Sequence, residues 1–147
     1  MSNYNNILVA IDINAHYKSI IRKALTICQS PEDVSLIYTS VPTTYIQPYL
    51  YGIEKNNIVN DGDRISLARE ILHDVAMQSG IPQRNVFVKL GVPADEIKQT
   101  AIEKHIDLIV IGSHGRSGIK LLLGSTANAV LHGGKQDVLA VRVYYDI

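Results

Sequence analysis

A glycine-rich stretch in the last third of the chain has the composition of a phosphate-binding loop. It reads Gly-Ser-His-Gly at residues 112–115, and eight further residues separate it from Gly124 and Ser125. The run at 108–111 is apolar throughout, as in a strand buried on both faces, and residues 125–131 have helical spacing that begins with a favoured N-cap residue. Glycines between a strand and a helix N-terminus let backbone amides face an anion. The pattern predicts a phosphate site at this loop.

Ionisable side chains in and near this stretch fit the same chemistry. Arg116 and Lys120 lie inside the loop, where each cation could meet phosphate oxygens or remain a solvated surface charge. Asp12 follows the first apolar run, and its carboxylate could accept from a ribose hydroxyl or cap the backbone that follows, since aspartate is favoured in both roles. His114 has no second histidine or carboxylate beside it. The sequence therefore predicts no catalytic residue and no metal site.

Strand-like and helix-like patterns alternate along the whole chain. Buried-strand runs lie at 7–11, 34–41, 86–88, 108–111 and 138–143, and helical patterns begin near Tyr17, Ile65, Pro93 and Ser125. This alternation predicts one doubly wound, Rossmann-like α/β domain over residues 1–147, with a five-stranded parallel sheet in the order 3-2-1-4-5 and helices on both faces. The first and fourth strands are then neighbours, so Asp12 and Gly112 are expected beside one crevice.

Two segments carry more specific expectations. In the third helix, a buried stripe is predicted for Ala94, Ile97, Ala101 and Ile102. The segment 42–61 shows little periodicity and contains three tyrosines, which could contact a ligand or partner or could cover the edge of the core.

Composition excludes several classes of function. The 147 residues include 14 basic and 14 acidic side chains, so no net charge attracts nucleic acid or an anionic membrane. No apolar run reaches the roughly 18 residues of a membrane span, and the first residues lack the features of a signal peptide. The single cysteine, Cys28, cannot form an internal disulfide and is interpreted as a packing residue. These features predict a cytoplasmic protein.

The chain resembles the universal stress protein family of the A type. The motifs that carry the resemblance lie at 6–12, 91–97, 107–115, 122–127 and 137–143, and together they extend over nearly the whole length. The resemblance implies a cytoplasmic, homodimeric stress-response protein; some members bind ATP and others bind no nucleotide. In the binding members, the ends of the first two strands hold adenine and ribose, and the glycine motif holds the phosphates.

The resemblance also implies which residues would contact a nucleotide here. The ligand would be ATP or AMP, with Mg²⁺ if it is ATP. The matching positions, with Arg116 added from the loop itself, are Ala10, Ile11, Asp12, Val41, Gly112, Gly115, Arg116, Gly124 and Ser125.

The glycine loop departs from the pattern of the nucleotide-binding members in one respect. Those members have nine residues between the second glycine of the motif and the glycine that precedes Ser or Thr. This chain has eight, at 116–123, between Gly115 and Gly124. One residue fewer can move Ser125 by up to ~3.5 Å, which is enough to lose a hydrogen bond.

Three hypotheses stay open: a nucleotide-binding regulatory module, a nucleotide-free protein that acts through protein contacts, and a slow ATPase.

The fifth strand bears on assembly. It is an edge strand in the expected order, and it is apolar from Val138 to Val143 apart from Arg142. Pairing with the same strand of a second copy would cover its backbone groups, whereas Arg142 and the short tail could instead protect the edge. We predict a homodimer through this strand.

Overall fold

The described part of the computed structural model, residues 4–42, 60–113 and 124–143, contains five strands and four α-helices. The strands are β1 (Ile7–Ala10), β2 (Val34–Ser40), β3 (Val86–Leu90), β4 (Leu108–Gly112) and β5 (Asp137–Val141). The helices are α1 (Lys18–Ile27), α2 (Asp61–Ser79), α3 (Pro93–Glu103) and α4 (Ser125–Gly133). All strand pairs are parallel, and the order is β3-β2-β1-β4-β5. The predicted fold class and strand order are confirmed.

Both faces of the sheet are buried, because alternate residues of the central strands point to opposite sides. Ile7 and Val9 belong to a core with α1 and α2, which contribute Ile20, Ile21, Ala24, Ala68, Leu72 and Ala76. Leu8 and Ala10 belong to a second core with α3 and α4, which contribute Ala94, Ile97, Ala101, Ala127 and Val130. A fully buried leucine or isoleucine is worth ~1.5–3 kcal/mol, so these two cores hold the helices in place.

The helices begin and end at residues that satisfy their free backbone groups. Asn60 caps α2, since its Oδ1 accepts from the Asp63 amide at 2.8 Å. Gly80 ends the same helix with φ of 75°, a left-handed conformation that favours glycine. Pro93 is the first residue of α3, as predicted.

One predicted core residue is not buried. Ile102 is 69% exposed, whereas Ala94, Ile97 and Ala101 are buried as predicted. Ile102 lies five residues after Ile97, which places it ~140° around the helix at 3.6 residues per turn. The stripe expected in α3 was therefore one residue too wide.

Three strands, β1, β2 and β5, end earlier than predicted, and two, β3 and β4, end later. β2 ends at Ser40, and β5 ends at Val141 rather than Val143. β3 continues to Leu90. Ile11 lies just beyond β1, although its amide still donates to the Ile37 carbonyl at 2.9 Å.

Asp107 fixes the relative position of the two central strands at their amino ends. Its carboxylate accepts from the backbone amides of Asn5 and Asn6, at 2.8 and 3.0 Å. Asp107 in turn donates its own amide to the Asn6 carbonyl at 3.0 Å. These bonds join the start of β1 to the start of β4. They thereby set the register in which the carboxyl ends of the two strands lie side by side.

Candidate functional site

The carboxyl ends of β1 and β4 lie side by side, as expected for the crevice of a doubly wound sheet. Ala10 pairs with Ile111 of β4, and Gly112 pairs with Val141 of β5. Ile11 and Asp12 follow directly after Ala10. The structure thus brings together Ala10, Ile11, Asp12 and Gly112 from the predicted set.

Asp12 makes a turn at the end of β1. Its Oδ1 accepts from the Asn14 amide at 2.9 Å, and its backbone carbonyl accepts from the Ala15 amide at 3.1 Å. Of the two roles predicted for Asp12, these bonds correspond to capping of the backbone that follows β1. The second carboxylate oxygen makes no hydrogen bond to any described residue and is available to a ligand.

The N-terminus of α4 lies at the same edge of the sheet. Gly124 donates its amide to the Ser113 carbonyl at 2.6 Å, and its own carbonyl accepts from Asn128 at 2.9 Å. Gly124 is the N-cap residue and has no side chain to bond the first turn. Within the described residues, the amides of Ser125, Thr126 and Ala127 therefore have no hydrogen-bond acceptor.

Ser113 joins three elements at this edge, although its contribution was not anticipated from the sequence. Its amide donates to the Val141 carbonyl at 2.8 Å, and its Oγ accepts from the Val143 amide at 3.4 Å. With the bond from Gly124, Ser113 connects β4, the segment after β5 and the start of α4. The relevant signal was a serine immediately after a buried strand, where a small polar side chain can satisfy neighbouring backbone groups.

Val41 lies at the end of β2, and its carbonyl already has a partner. Arg64 Nη1, from the first turns of α2, donates to it at 3.0 Å. The same guanidinium nitrogen lies 3.8 Å from Asp61 Oδ1. Sequence reasoning missed Arg64, because a surface-type residue that is 23 positions away from Val41 carries no local signal of this contact.

Polar side chains form a row across the carboxyl edge of the sheet. Thr39 pairs with Lys89 of β3. Continuing the register of β1 by two residues beyond Ala10 brings Asp12 level with Thr39 on one side and Ser113 on the other. Thr39 Oγ1 is buried and has no hydrogen-bond partner among the described residues. A buried hydroxyl without a partner is costly, and Ser40 Oγ, at the end of the same strand, is in the same condition.

Gly115 and Arg116 lie outside the described residues, as do His114, Lys120 and the three tyrosines of the 42–61 segment. The described residues contain no cluster of histidine, cysteine or acidic side chains able to hold a metal ion. None of the helices in those ranges is both apolar enough and long enough to span a bilayer.

Comparison with known proteins agrees with this geometry. The model of the universal stress protein family matches residues 3–142. The chain is 36% identical to universal stress protein A homolog 2 of Coxiella burnetii over 146 residues, which cover 97% of this chain and 98% of that protein.

Two solved structures share the fold. Universal stress protein UspA of Lactobacillus plantarum has a TM-score of 0.70 and 19% identity, and the match covers 98% of this chain and 100% of that one. A universal stress protein family protein of Arabidopsis thaliana with AMP bound has a TM-score of 0.58 and 13% identity, covering 95% and 92%. The family match extends over almost the whole chain, and the Coxiella relative is similar over its full length. The chain therefore belongs to the universal stress protein family.

Proposed function

We propose that this stress protein binds an adenine nucleotide, ATP or AMP, at the carboxyl edge of β1 and β4. The observation that carries the proposal is the open first turn of α4, where three successive amides lack an acceptor within the described residues. Such a turn carries a partial positive charge and attracts phosphate. The AMP-bound relative of the same fold supports the choice of adenine.

Two further groups suit the sugar of such a ligand. The Asp12 carboxylate oxygen that makes no hydrogen bond within the described residues is an acceptor for ribose hydroxyls, and Thr39 Oγ1 is level with it in the neighbouring strand. Gly112, at the end of β4, stands between these groups and α4. In this proposal Ser125 is the first residue to meet the phosphates, with Mg²⁺ accompanying ATP, and Gly115 and Arg116 complete the loop.

The experiment is calorimetric titration of ATP with Mg²⁺, and of AMP, into the protein and into two acidic variants. Ser125→Glu places a carboxylate in the first turn of α4, where it favours the helix by ~0.3–1 kcal/mol but repels phosphate. We expect it to weaken nucleotide affinity by about tenfold or more, because like charges then meet at short range.

Gln78→Glu is the matched control, with the same change of net charge at the exposed C-terminal end of α2. It should leave the affinity within about a factor of two. The absence of binding to the unmodified protein at millimolar nucleotide would refute the proposal.

A nucleotide-free function through protein contacts is the second candidate, and two observations favour it. The Val41 carbonyl is occupied by Arg64, and the Gly124 amide is occupied by Ser113. Two of the backbone groups expected to meet a nucleotide are thus already bonded within the protein. Binding of neither nucleotide, with the protein folded, would support this candidate.

The proposed module is a homodimer in the cytoplasm. β5 is an edge strand whose residues 138–141 are uncharged, and its backbone groups face away from the sheet at alternate positions. Pairing of β5 with its copy would extend the sheet across the dimer and place the two crevices on one continuous scaffold. Nucleotide occupancy would then act on the dimer through Ser113, which joins the α4 N-terminus to the end of β5.

A further inference from the structure

The other free edge of the sheet, β3, differs chemically from β5. β3 pairs with β2 on one side, and no strand of the described residues lies on the other. Gly91, the residue after β3, donates its amide to the Ser40 carbonyl of β2 at 2.9 Å, so the N–H and C=O groups of Gly91 face β2. Since this direction alternates along a strand, the N–H and C=O groups of Val88 and Leu90 face outward.

A groove of about 360 Å³ runs between this edge and α2. β3 contributes residues 86–89 to it, and α2 contributes Arg69 and His73, which are one helical turn apart. Gln83 lines the end of the groove and donates its side-chain amide to the His73 carbonyl at 3.1 Å. The walls of the groove therefore include the outward backbone groups of β3 and the half-buried apolar side chains of residues 86–88.

The charge of the groove has one sign. Arg69 and Lys89 are cations, and none of its lining residues is Asp or Glu. On the other side of β3, Lys104 Nζ lies 5.3 Å from the centroid of the Phe87 ring. Arg69 and Lys89 therefore give the groove a net positive charge, in a chain whose acidic and basic residues balance.

We propose that the β3 groove binds an extended acidic segment of a partner protein, which adds to the sheet as a sixth strand. The outward groups of Val88 and Leu90 would bond its backbone, and its carboxylates would face Arg69 and Lys89. This is recognition by strand addition, in which the backbone supplies affinity and the flanking side chains supply specificity. A second copy of this chain fits poorly, because Arg69 and Lys89 would then approach their own equivalents.

The test measures fluorescence anisotropy of a labelled octapeptide of alternating Glu and Thr, titrated with the full chain. The expected result is saturable binding that weakens with added salt, since the charges are partly exposed. The corresponding peptide of alternating Lys and Thr should not bind. The acidic peptide with N-methyl groups on alternate residues should also fail to bind, because it has lost the hydrogen bonds of a strand.

The paired substitution Arg69→Glu with Lys89→Glu should weaken acidic-peptide binding by about tenfold or more, because it replaces attraction by repulsion. Arg22→Glu with Lys23→Glu is the matched control, since both residues are exposed on α1, and it should leave binding within about a factor of two. If the acidic pair unfolds the protein, Arg69→Gln with Lys89→Gln gives the same comparison with a smaller change of charge.

Three outcomes would overturn the proposal. The first is failure of the acidic peptide to bind to the folded protein. The second is equal binding of its N-methylated form, which would indicate a charged patch without strand addition. The third is a change in sedimentation mass of the Arg69 and Lys89 variant, which would assign the edge to contact between copies.

Discussion

At the scale of single residues, the candidate site contains groups that already serve the protein. Asp12 uses one carboxylate oxygen to hold the turn after β1, and the other makes no hydrogen bond within 4–42, 60–113 and 124–143. Val41 and Gly124, both predicted to contact a nucleotide, each have one backbone group already bonded, the Val41 carbonyl to Arg64 and the Gly124 amide to Ser113. A nucleotide that used the Val41 carbonyl would share it with a guanidinium.

Arg64→Ala tests this competition. Freeing the Val41 carbonyl should strengthen AMP binding several-fold, because the exocyclic amine of adenine then has an unshared acceptor. Loss of the partly buried hydrogen bond should lower the free energy of unfolding by about 1 kcal/mol. Calorimetric titration and urea denaturation measure the two effects. Arg22→Ala, at an exposed site on α1, is the control; an unchanged or weaker AMP affinity in Arg64→Ala would contradict the competition.

Cys28 yields a second prediction at this scale. Burial raises the pKa of its thiol, with a further contribution from the nearby Asp33 charge, and its Sγ donates to the Leu25 carbonyl at 3.3 Å. Because the thiolate is the reactive form, modification by a disulfide reagent at pH 8 should be about tenfold or more slower in the folded protein than in urea. Equal rates in the two states would show that the thiol is not protected by the core.

At the scale of elements, the helix ends decide how the chain returns to the sheet. Gly80 ends α2 in a left-handed conformation, and the Ile81 amide then bonds back to the Ala76 carbonyl at 2.9 Å. This closure directs the chain toward β3, whose outer edge forms the proposed groove.

Gly80→Ala should lower the free energy of unfolding by about 1–2 kcal/mol, since an L-residue at φ of 75° is strained. Urea denaturation measures it. Gly62→Ala is the control in the first turn of the same helix: its φ is not left-handed, and the added Cβ would lie 3.3 Å from Asn60 Oδ1, the N-cap acceptor, which must shift slightly to make room. The reduced chain entropy of alanine offsets this adjustment, so the free energy of unfolding should change by less than about 0.5 kcal/mol. Equal losses in the two variants would show that the left-handed φ of Gly80 carries no specific cost, because helix propensity favours alanine over glycine.

At the scale of the whole molecule, the sheet has two edges of different character. β5 has uncharged residues at 138–141, whereas β3 has Lys89 and the Arg69 side of α2 beside it. The uncharged stretch 138–141, which lies between Asp137 and Arg142, favours pairing of β5 with its own copy, and a cationic edge favours an acidic partner. The two surfaces could therefore be occupied at the same time.

Ala140→Pro tests the β5 dimer. The Val141 carbonyl accepts from Ser113 of the β4 side, so by alternation the Ala140 amide faces outward. Proline there removes an intermolecular donor without breaking the β4–β5 ladder, and light scattering should report the monomer mass. Leu90→Pro removes an outward amide from the other edge and should leave the dimer intact. A dimer that persists in Ala140→Pro would place the interface elsewhere.

Local sequence patterns were sufficient for much of the fold. Apolar runs such as 108–111 identify buried strands because both faces of a parallel sheet are covered. Terminal residues such as Pro93 and Gly80 mark helix ends because their backbone preferences are intrinsic. Ile102 shows the limit of such patterns, since helical spacing does not specify how wide a stripe the neighbouring elements cover.

The sequence by itself determined the alternation of strands and helices and the two covered faces of the sheet, because periodicity acts through the local chain. The order 3-2-1-4-5, and with it the meeting of Asp12 with Gly112, was an inference from doubly wound architecture that the structure confirmed. The tertiary structure alone decided that Arg64 bonds Val41, that Ser113 bonds Gly124 and that Thr39 Oγ1 has no partner among the described residues. These contacts depend on how distant segments pack at the strand ends. No residue spacing encodes that packing, because a hydrogen bond requires its atoms to be placed to within a few tenths of an ångström.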